Sequence, residues 1–502
     1  MSILGIDVGT SGCKATVVDP EGRILGRGYE EYTVSRPAEG QAELDADTVW
    51  AAVQAVLRQA LAAPGVGRGV QAISVSSFGE TVVPIDRDGK ALAPGMLYFD
   101  PRGAEEAAEL GGRLGPERIL QITGIALHPM YGICKIMWLQ RHQPRVFGRA
   151  WKFLFFADLV LYRLGARPVT DHSLASRSMA FDVVRKRWSP EILEAAGVDP
   201  ALFGEAVPAG TALGPVAREL AGALGLNPGA LLVAGGHDQT CAALGAGAIR
   251  PGLAIDGMGT TECITPCFDH PVINQVMATG GFACVPHVVP DRYVTYAFNI
   301  TSGSLLRWYR DRFGAAQVAE AGRRGVDPYQ VLIEQAPDGP SGLYVLPHFA
   351  GAATPHMDSA AVGAIVGLNL DTSPERICKG ILEGVTFEMM VNLARLAEAD
   401  VPITELRATG GLARSDRMLQ LKADMMGLPV SSLAVSEAGT LGVAILAGTA
   451  CGLYASLEEG VARLVKLRAT CVPDPEQHRL YQEHFERYQR LYPAVRAVYG
   501  RD

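Results

Sequence analysis

No apolar run reaches the roughly 18 residues that a membrane-spanning helix requires, although 48% of the 502 residues are hydrophobic. The N-terminus also lacks a basic segment followed by an apolar stretch, because Gly5 and Asp7 interrupt it; the expectation is a cytoplasmic chain with no membrane contact. Positive charge is in deficit, 45 Lys and Arg against 53 Asp and Glu, a net −8. That leaves no basic footprint for nucleic acid or anionic lipid, and a small molecule becomes the expected partner. Paired cysteines are lacking too. Cys13, Cys134, Cys241, Cys263, Cys267, Cys284, Cys378, Cys451 and Cys471 are scattered without a C-x-x-C, which fits a reducing compartment. Cys263 and Cys267 have no second His/Cys pair at zinc spacing, so two ordinary core residues are the simpler reading.

What is present is length and an α/β alternation. A chain of 502 residues exceeds the usual domain of about 100–250 residues, so two large halves are expected. Ser2–Val8, a turn at Gly9–Cys13, and Lys14–Asp19 read as a hairpin; Pro20-Glu21-Gly22 turns the chain into a third strand, Arg23–Tyr29. Ala46–Ala62 has helical spacing, with Val49, Val53, Val56 and Leu57 on one face, and precedes a β-rich run, Val70–Ser76. Half a chain later, Asp256-Gly257-Met258-Gly259-Thr260-Thr261 repeats the device of Asp7-Val8-Gly9-Thr10-Ser11 with one extra residue. Duplication of a domain follows as an expectation, with a boundary in "GAGAIRPG" near 245–255. Glu476–Val498 reads as a terminal amphipathic helix.

Five stretches carry chemistry. The first turn is neither a P-loop, since its glycine spacing is wrong and a strand follows it, nor a G-x-G-x-x-G dinucleotide fingerprint. Its amides, hydroxyls and Lys14 can form an anion-binding nest, while a plain hairpin remains open as a reading. The second turn strengthens the nest reading, and Asp7 and Asp256 at the strand ends are candidates for a magnesium ion. In "LLVAGGHDQTCAALGAG", Asp238 stands where a helix begins, as a general base, a metal partner or an N-cap. The small residues after it imply another backbone packed close to this helix. Gly410-Gly411 offer a flat floor, and Ser415 a cap for a helix ending before Gly427. Finally Glu80, Asp100 and Arg102 suit the hydroxyls of a polyol, or equally surface turns.

The order of these stretches resembles the FGGY carbohydrate kinases over nearly the whole chain, from Ile3 to about Leu453. The resemblance implies an α/β fold of two actin-like, ribonuclease H-like domains with mixed sheets flanked by helices, ATP and sugar meeting in the cleft between them. It divides the chain into a sugar-binding half, 1–247, and an ATP-binding half, 248–502. Carried over by motif, Gly9, Thr10, Ser11 and Lys14 resemble the first phosphate motif; Gly259, Thr260 and Thr261, joined by Gly303, resemble the second. Gly410, Gly411, Arg414 and Ser415 resemble the adenosine motif, followed by Glu437–Gly448. Asp238 matches the family's catalytic aspartate and Asp7 its metal-placing residue. Gly79, Glu80, Asp100, Arg102, Asp238 and Gln239 are the implied acceptor contacts. "MYGICKIMWLQRH", Met130–His142, is similar to a family signature around Lys135 and Trp138, with Gly132 in place of Pro, Ser or Thr. Gly363–Glu388 follows a second signature loosely, departing at Arg376 and Gly380.

The implied reaction moves the γ-phosphoryl of Mg-ATP to a hydroxyl of a sugar or polyol. The general likeness is to xylulose kinases, which makes a ketopentose such as xylulose the first candidate, but the sugar-reading positions depart. Gly79-Glu80-Thr81 stands where xylulose kinases typically carry Met-His and glycerol kinases Arg-Glu-Thr. Phe99 replaces Asn or Gln, and Gly351-Ala352-Ala353 replaces Gly-Glu-Arg. Ribulose, fuculose, glycerol, a tetritol and gluconate remain as acceptors. An actin- or Hsp70-type ATPase and a silent sugar-binding member are the rival classes. A homodimer would be ordinary for the family.

Overall fold

The computed structural model describes residues 1–434 and 437–499. Ser2–Val8 is apolar almost without interruption, as a strand covered on both faces must be. It pairs antiparallel with Gly12–Val18 and parallel with Val70–Ser77. The full order is Ala212–Pro215, Leu231–His237, Val70–Ser77, Ser2–Val8, Gly12–Val18, Ile24–Glu31. In the second large sheet Leu253–Met258 takes the place of Ser2–Val8. It is antiparallel to Glu262–Phe268 and parallel to Glu405–Thr409, which is parallel to Val430–Leu433, which in turn is antiparallel to Leu467–Cys471. The sequence of pairings outward from the hairpin is therefore the same in both sheets, antiparallel, parallel, parallel, antiparallel. The first sheet uses residues before 238 and the second residues after 252.

The predicted helix forms at Ala46–Ala60, where the Asp45 side chain accepts from the amides of Asp47 and Thr48, and Val49, Val53, Val56 and Leu57 are buried. Such a cap contributes about 1 kcal/mol. Helix Ala438–Ala450 belongs to the second half of the chain but packs on the first sheet and on helix Asp238–Gly245. A methyl group on Gly245 would run into the carbonyl of Ala438, and one on Gly442 into that of Cys241. This is the close backbone approach that the small residues imply.

The single C-terminal helix expected over Glu476–Val498 is corrected to two, Pro475–Tyr488 and Leu491–Tyr499. Pro493 gives the reason: it lacks the amide to continue the first helix but is tolerated in the first turn of a new one. No described helix is long and apolar enough to cross a membrane.

Candidate active site

The hairpin turn after Asp7 is fixed from beneath. Tyr32 donates its hydroxyl to the carbonyls of Gly9 and Gly12, the Gly9 amide bonds the Gly12 carbonyl at 2.9 Å, and Tyr32 N–H reaches the Ser11 carbonyl at 3.1 Å. Thr10 and Ser11 stand at the tip, and Lys14 follows, half exposed, its ammonium 4.0 Å from Glu437. Asp7 accepts from the Ser76 hydroxyl at 2.7 Å, and a Cβ on Gly439 would come within 3.2 Å of its other oxygen. Burial raises the Asp7 pKa, while Ser76 and Lys14 oppose the rise.

The second turn forms one wall of a cavity of about 770 Å³. Gly259, Thr260 and Gly303 line it, as do Gly411, Arg414 and Ser415, whereas Thr261 and Gly410 are not in its lining. Gly303 and Gly410 are places where a side chain would collide. A Cβ on the first would stand 2.6 Å from the Gly259 carbonyl, and on the second 2.5 Å from that of Met258, where φ is also +91°. Ser415 caps helix Asp416–Met426 as the spacing predicts. Tyr329, Gln330, Ile333 and Leu306 complete the cavity, giving it an apolar floor with polar edges suited to a purine.

Asp238 is the first residue of helix Asp238–Gly245. The N-cap is His237, which corrects the capping reading. The Asp238 carboxylate accepts from the Gln239 amide at 2.6 Å and lies 3.2 Å from the His237 ring. It keeps 28% of its side-chain surface open. Burial raises its pKa well above the ordinary carboxylate range, and the like charges of Asp7 and Glu80 add to the rise. Those perturbations place Asp7, Glu80 and Asp238 within one electrostatic neighbourhood.

Glu80 sits at φ 63°, an uncommon conformation for a residue with a side chain. Its carboxylate takes the Nε–H of Arg177 at 2.6 Å, and both side chains are buried. The Arg177 guanidinium lies between Tyr131 and Tyr296, 5.2 and 5.6 Å from their ring centres, and its Nη1 has no partner. The Tyr296 hydroxyl is 3.2 Å from His237 Nδ1. A Cβ on Gly79 would press on Arg177 and His237, at 2.7 and 3.1 Å. Only glycine leaves this wall intact.

Two expected acceptor contacts are corrected. Asp100 is closed to ligands: its oxygens take the Ala42 amide at 2.8 Å and Arg102 at 2.9 and 2.6 Å, and none of its side chain is exposed. Arg102 is held by Asp100 and by Glu43 at 2.7 Å, and stacks on Trp138 at 5.1 Å. Lys135, buried in helix Gly132–His142, donates to the carbonyls of Asp100 and Arg102. The Lys135–Trp138 signature thus braces a loop behind the wall.

Asp256 is corrected as a magnesium candidate as well. It and Glu262 clamp the Lys422 ammonium, all three fully buried. Asp7 fits a hard cation better, because no described lysine or arginine clamps it: one oxygen takes the Ser76 hydroxyl, and Gly439 leaves room beside the other. Sequence reasoning missed Arg177, Tyr296, Tyr329 and Gln330. None lies in a glycine-rich turn, and only folding brings Arg177 and Tyr296 to Glu80.

A duplicated sheet with two glycine-hydroxyl turns, a cavity large enough for a nucleotide and a carboxylate with a raised pKa make up the site. The FGGY carbohydrate kinase family matches the chain twice, its N-terminal domain over residues 2–245 and its C-terminal domain over 257–451. The chain belongs to that family. It is 27% identical to a xylulose kinase of Lactococcus lactis, covering 98% of this chain and 96% of that one. It is 30% identical to an autoinducer-2 kinase of Klebsiella pneumoniae, covering 98% and 93%. The solved xylulose kinase of Rhodospirillum rubrum superposes with a TM-score of 0.89 at 26% identity, covering both chains completely.

Proposed function

We propose that the two parts 1–247 and 248–502 close on Mg-ATP and a sugar or polyol, and that the γ-phosphoryl passes to an acceptor hydroxyl, with a ketopentose such as xylulose as the first acceptor. The raised carboxyl of Asp238, beside the Glu80–Arg177 wall, is the observation that carries this reading. One Asp238 oxygen takes the hydroxyl proton as the acceptor oxygen bonds to the γ-phosphorus; the bond to the β-phosphate oxygen breaks and ADP leaves. Glu80 and Gln239 orient the acceptor. The turn at Gly9 with the amides of Thr10 and Ser11 on one side, and the turn at Gly259 with those of Thr260 and Thr261 on the other, with Lys14 and Gly303, hold the phosphates. Gly410, Gly411, Arg414 and Ser415 hold the adenosine. Asp7 would hold magnesium, which when bound neutralises phosphate charge. The nine free thiols suit a cytoplasmic setting.

A second reading has its own observation. Arg177, with one nitrogen unpartnered beside the site, suits an acceptor bearing a carboxylate, such as gluconate. ATP-consumption assays across ketopentoses, hexuloses, pentitols, tetritols, glycerol and gluconate separate the two readings. A ketopentose with the highest kcat/KM supports the first, and gluconate the second. ATP binding without turnover on any acceptor would overturn both.

Two smaller predictions belong here. Glu80→Gln is expected to raise the acceptor KM at least tenfold while leaving the KM for ATP within about twofold, because it removes a charge from the acceptor wall alone. Equal changes in both constants would show that Glu80 acts only through the fold. Gly411→Val is expected to do the reverse, raising the KM for ATP by filling the nucleotide cavity; initial rates at saturating acceptor measure it.

A further inference from the structure

The loop 347–363 folds against the long helix Pro374–Glu398, where Asn392 donates to the Thr354 carbonyl at 2.9 Å, and against helix Leu491–Tyr499, where Tyr492 donates to Asp358 at 2.8 Å. There His348, His356 and Glu388 bring two imidazoles and a carboxylate together, one donor atom from each lying within 4.8 Å of the others. Both Nε2 atoms point to the same Glu388 oxygen, at 3.2 and 3.3 Å. Donors held at about 2.0–2.2 Å by one tetrahedral ion stand roughly 3.3 Å from each other. The two histidine–carboxylate separations match such an edge, and the two imidazole donors lie within 4.8 Å of each other.

A second observation points the same way. His348 is 1% exposed and Glu388 2%, yet neither ring nitrogen of His348 nor Oε1 of Glu388 makes a hydrogen bond. Buried polar atoms are ordinarily partnered; an ion shared by Nε2 and Oε1, which face each other at ion-pair distance, would give both a partner of better geometry. The other Glu388 oxygen accepts from Tyr488 at 2.7 Å, and the His356 ring stacks on Tyr492 at 3.8 Å, whose hydroxyl bonds Asp358. Outer partners of this kind orient metal ligands.

We infer that His348, His356 and Glu388 bind one divalent first-row transition ion, Zn²⁺ foremost, at a site separate from the phosphates. Two imidazoles select against Mg²⁺, which prefers oxygen ligands. Water completes the tetrahedron past His356, which keeps 20% of its side-chain surface. The ion would pin the loop to the long helix. The loop also takes the Thr301 hydroxyl on the Pro347 carbonyl, two residues before Gly303, so the site braces the second phosphate turn from behind.

The test uses the full chain without a polyhistidine tag, stripped by a chelator and then given Zn²⁺ or Co²⁺. Elemental analysis is expected to find one Zn²⁺ per chain, and the Co²⁺ form to show the intense visible bands of tetrahedral nitrogen-oxygen coordination. His348→Ala is expected to abolish both signals. His356→Gln, at the more exposed ligand and so safer for folding, is expected to weaken binding at least tenfold. Tyr488→Phe is expected to weaken it about 10–100-fold through the ligand it orients. Wild-type protein that retains no more metal than folded His356→Gln, or a Co²⁺ spectrum no different from the ion in buffer, overturns the site and leaves a metal-free His–Glu–His contact in its place.

Discussion

Asp238→Asn is expected to lower kcat by about 10²–10⁴-fold, the range that a positioned general base supplies, while ATP still binds with near wild-type affinity. The amide keeps the shape and the contact to the Gln239 amide but cannot take a proton. Near wild-type turnover in the variant would remove Asp238 from the mechanism. The pH profile offers an independent reading. Because burial, with Asp7 and Glu80, raises the Asp238 pKa, the carboxyl is protonated and idle until pH exceeds that raised value. The rate should climb through it on the acid side, and the residual rate of the variant should lack that limb.

The same shift has a stability consequence of opposite sense. Between the ordinary carboxylate pKa and the raised one, the folded state binds more protons than the unfolded, so the Asp238 contribution to stability falls as pH rises through that window. Asp238→Asn, neutral throughout, should therefore unfold at higher denaturant concentration than wild type at neutral pH. A site that loses stability where it gains reactivity is what a buried base implies. Unfolding midpoints for the two proteins on either side of the window would measure it; a difference that does not grow with pH would contradict the shift.

Local pattern in the chain sufficed for the strands, the first helix, both glycine-hydroxyl turns and the duplication, because each rests on neighbours in sequence: alternating burial, a cap, a turn residue. Ser415 as a cap and a close backbone approach to the small-residue helix after Asp238 were likewise legible; that the approaching backbone belongs to helix Ala438–Ala450 was not. What sequence could not supply was the partner of a charge. Asp100, Asp256 and Glu80 look alike along the chain as carboxylates at strand ends. Folding gives the first to Arg102, the second to Lys422 and the third to Arg177, and those partners lie 2, 166 and 97 residues away. Only the third remains beside Asp238.

Lys422→Met is expected to cost about 3–5 kcal/mol, the penalty for breaking a buried ion pair from one side. Lys422, on helix Asp416–Met426, holds Asp256 and Glu262 from the two strands that flank the second phosphate turn. Glu262 also accepts from Ser302 at 2.8 Å, next to Gly303. Burial opposes the charge on Lys422, but its two carboxylates outweigh that and hold its pKa above the ordinary lysine value. Removing it leaves two buried, facing carboxylates without their cation, and they must take up protons or separate. Separation would spread Gly259–Thr261 and raise the KM for ATP, while the acceptor wall, built on the other sheet, should keep its affinity. Replacing Lys422, Asp256 and Glu262 together by Met, Leu and Leu should recover part of the stability, since an apolar cluster of similar volume carries no orphaned charge. It should not recover ATP affinity, because Ser302 then loses its anchor. Denaturation and ATP titration of both variants decide the matter: a single Lys422→Met within about 0.5 kcal/mol of wild type would mean that the turn stands without its buried cation.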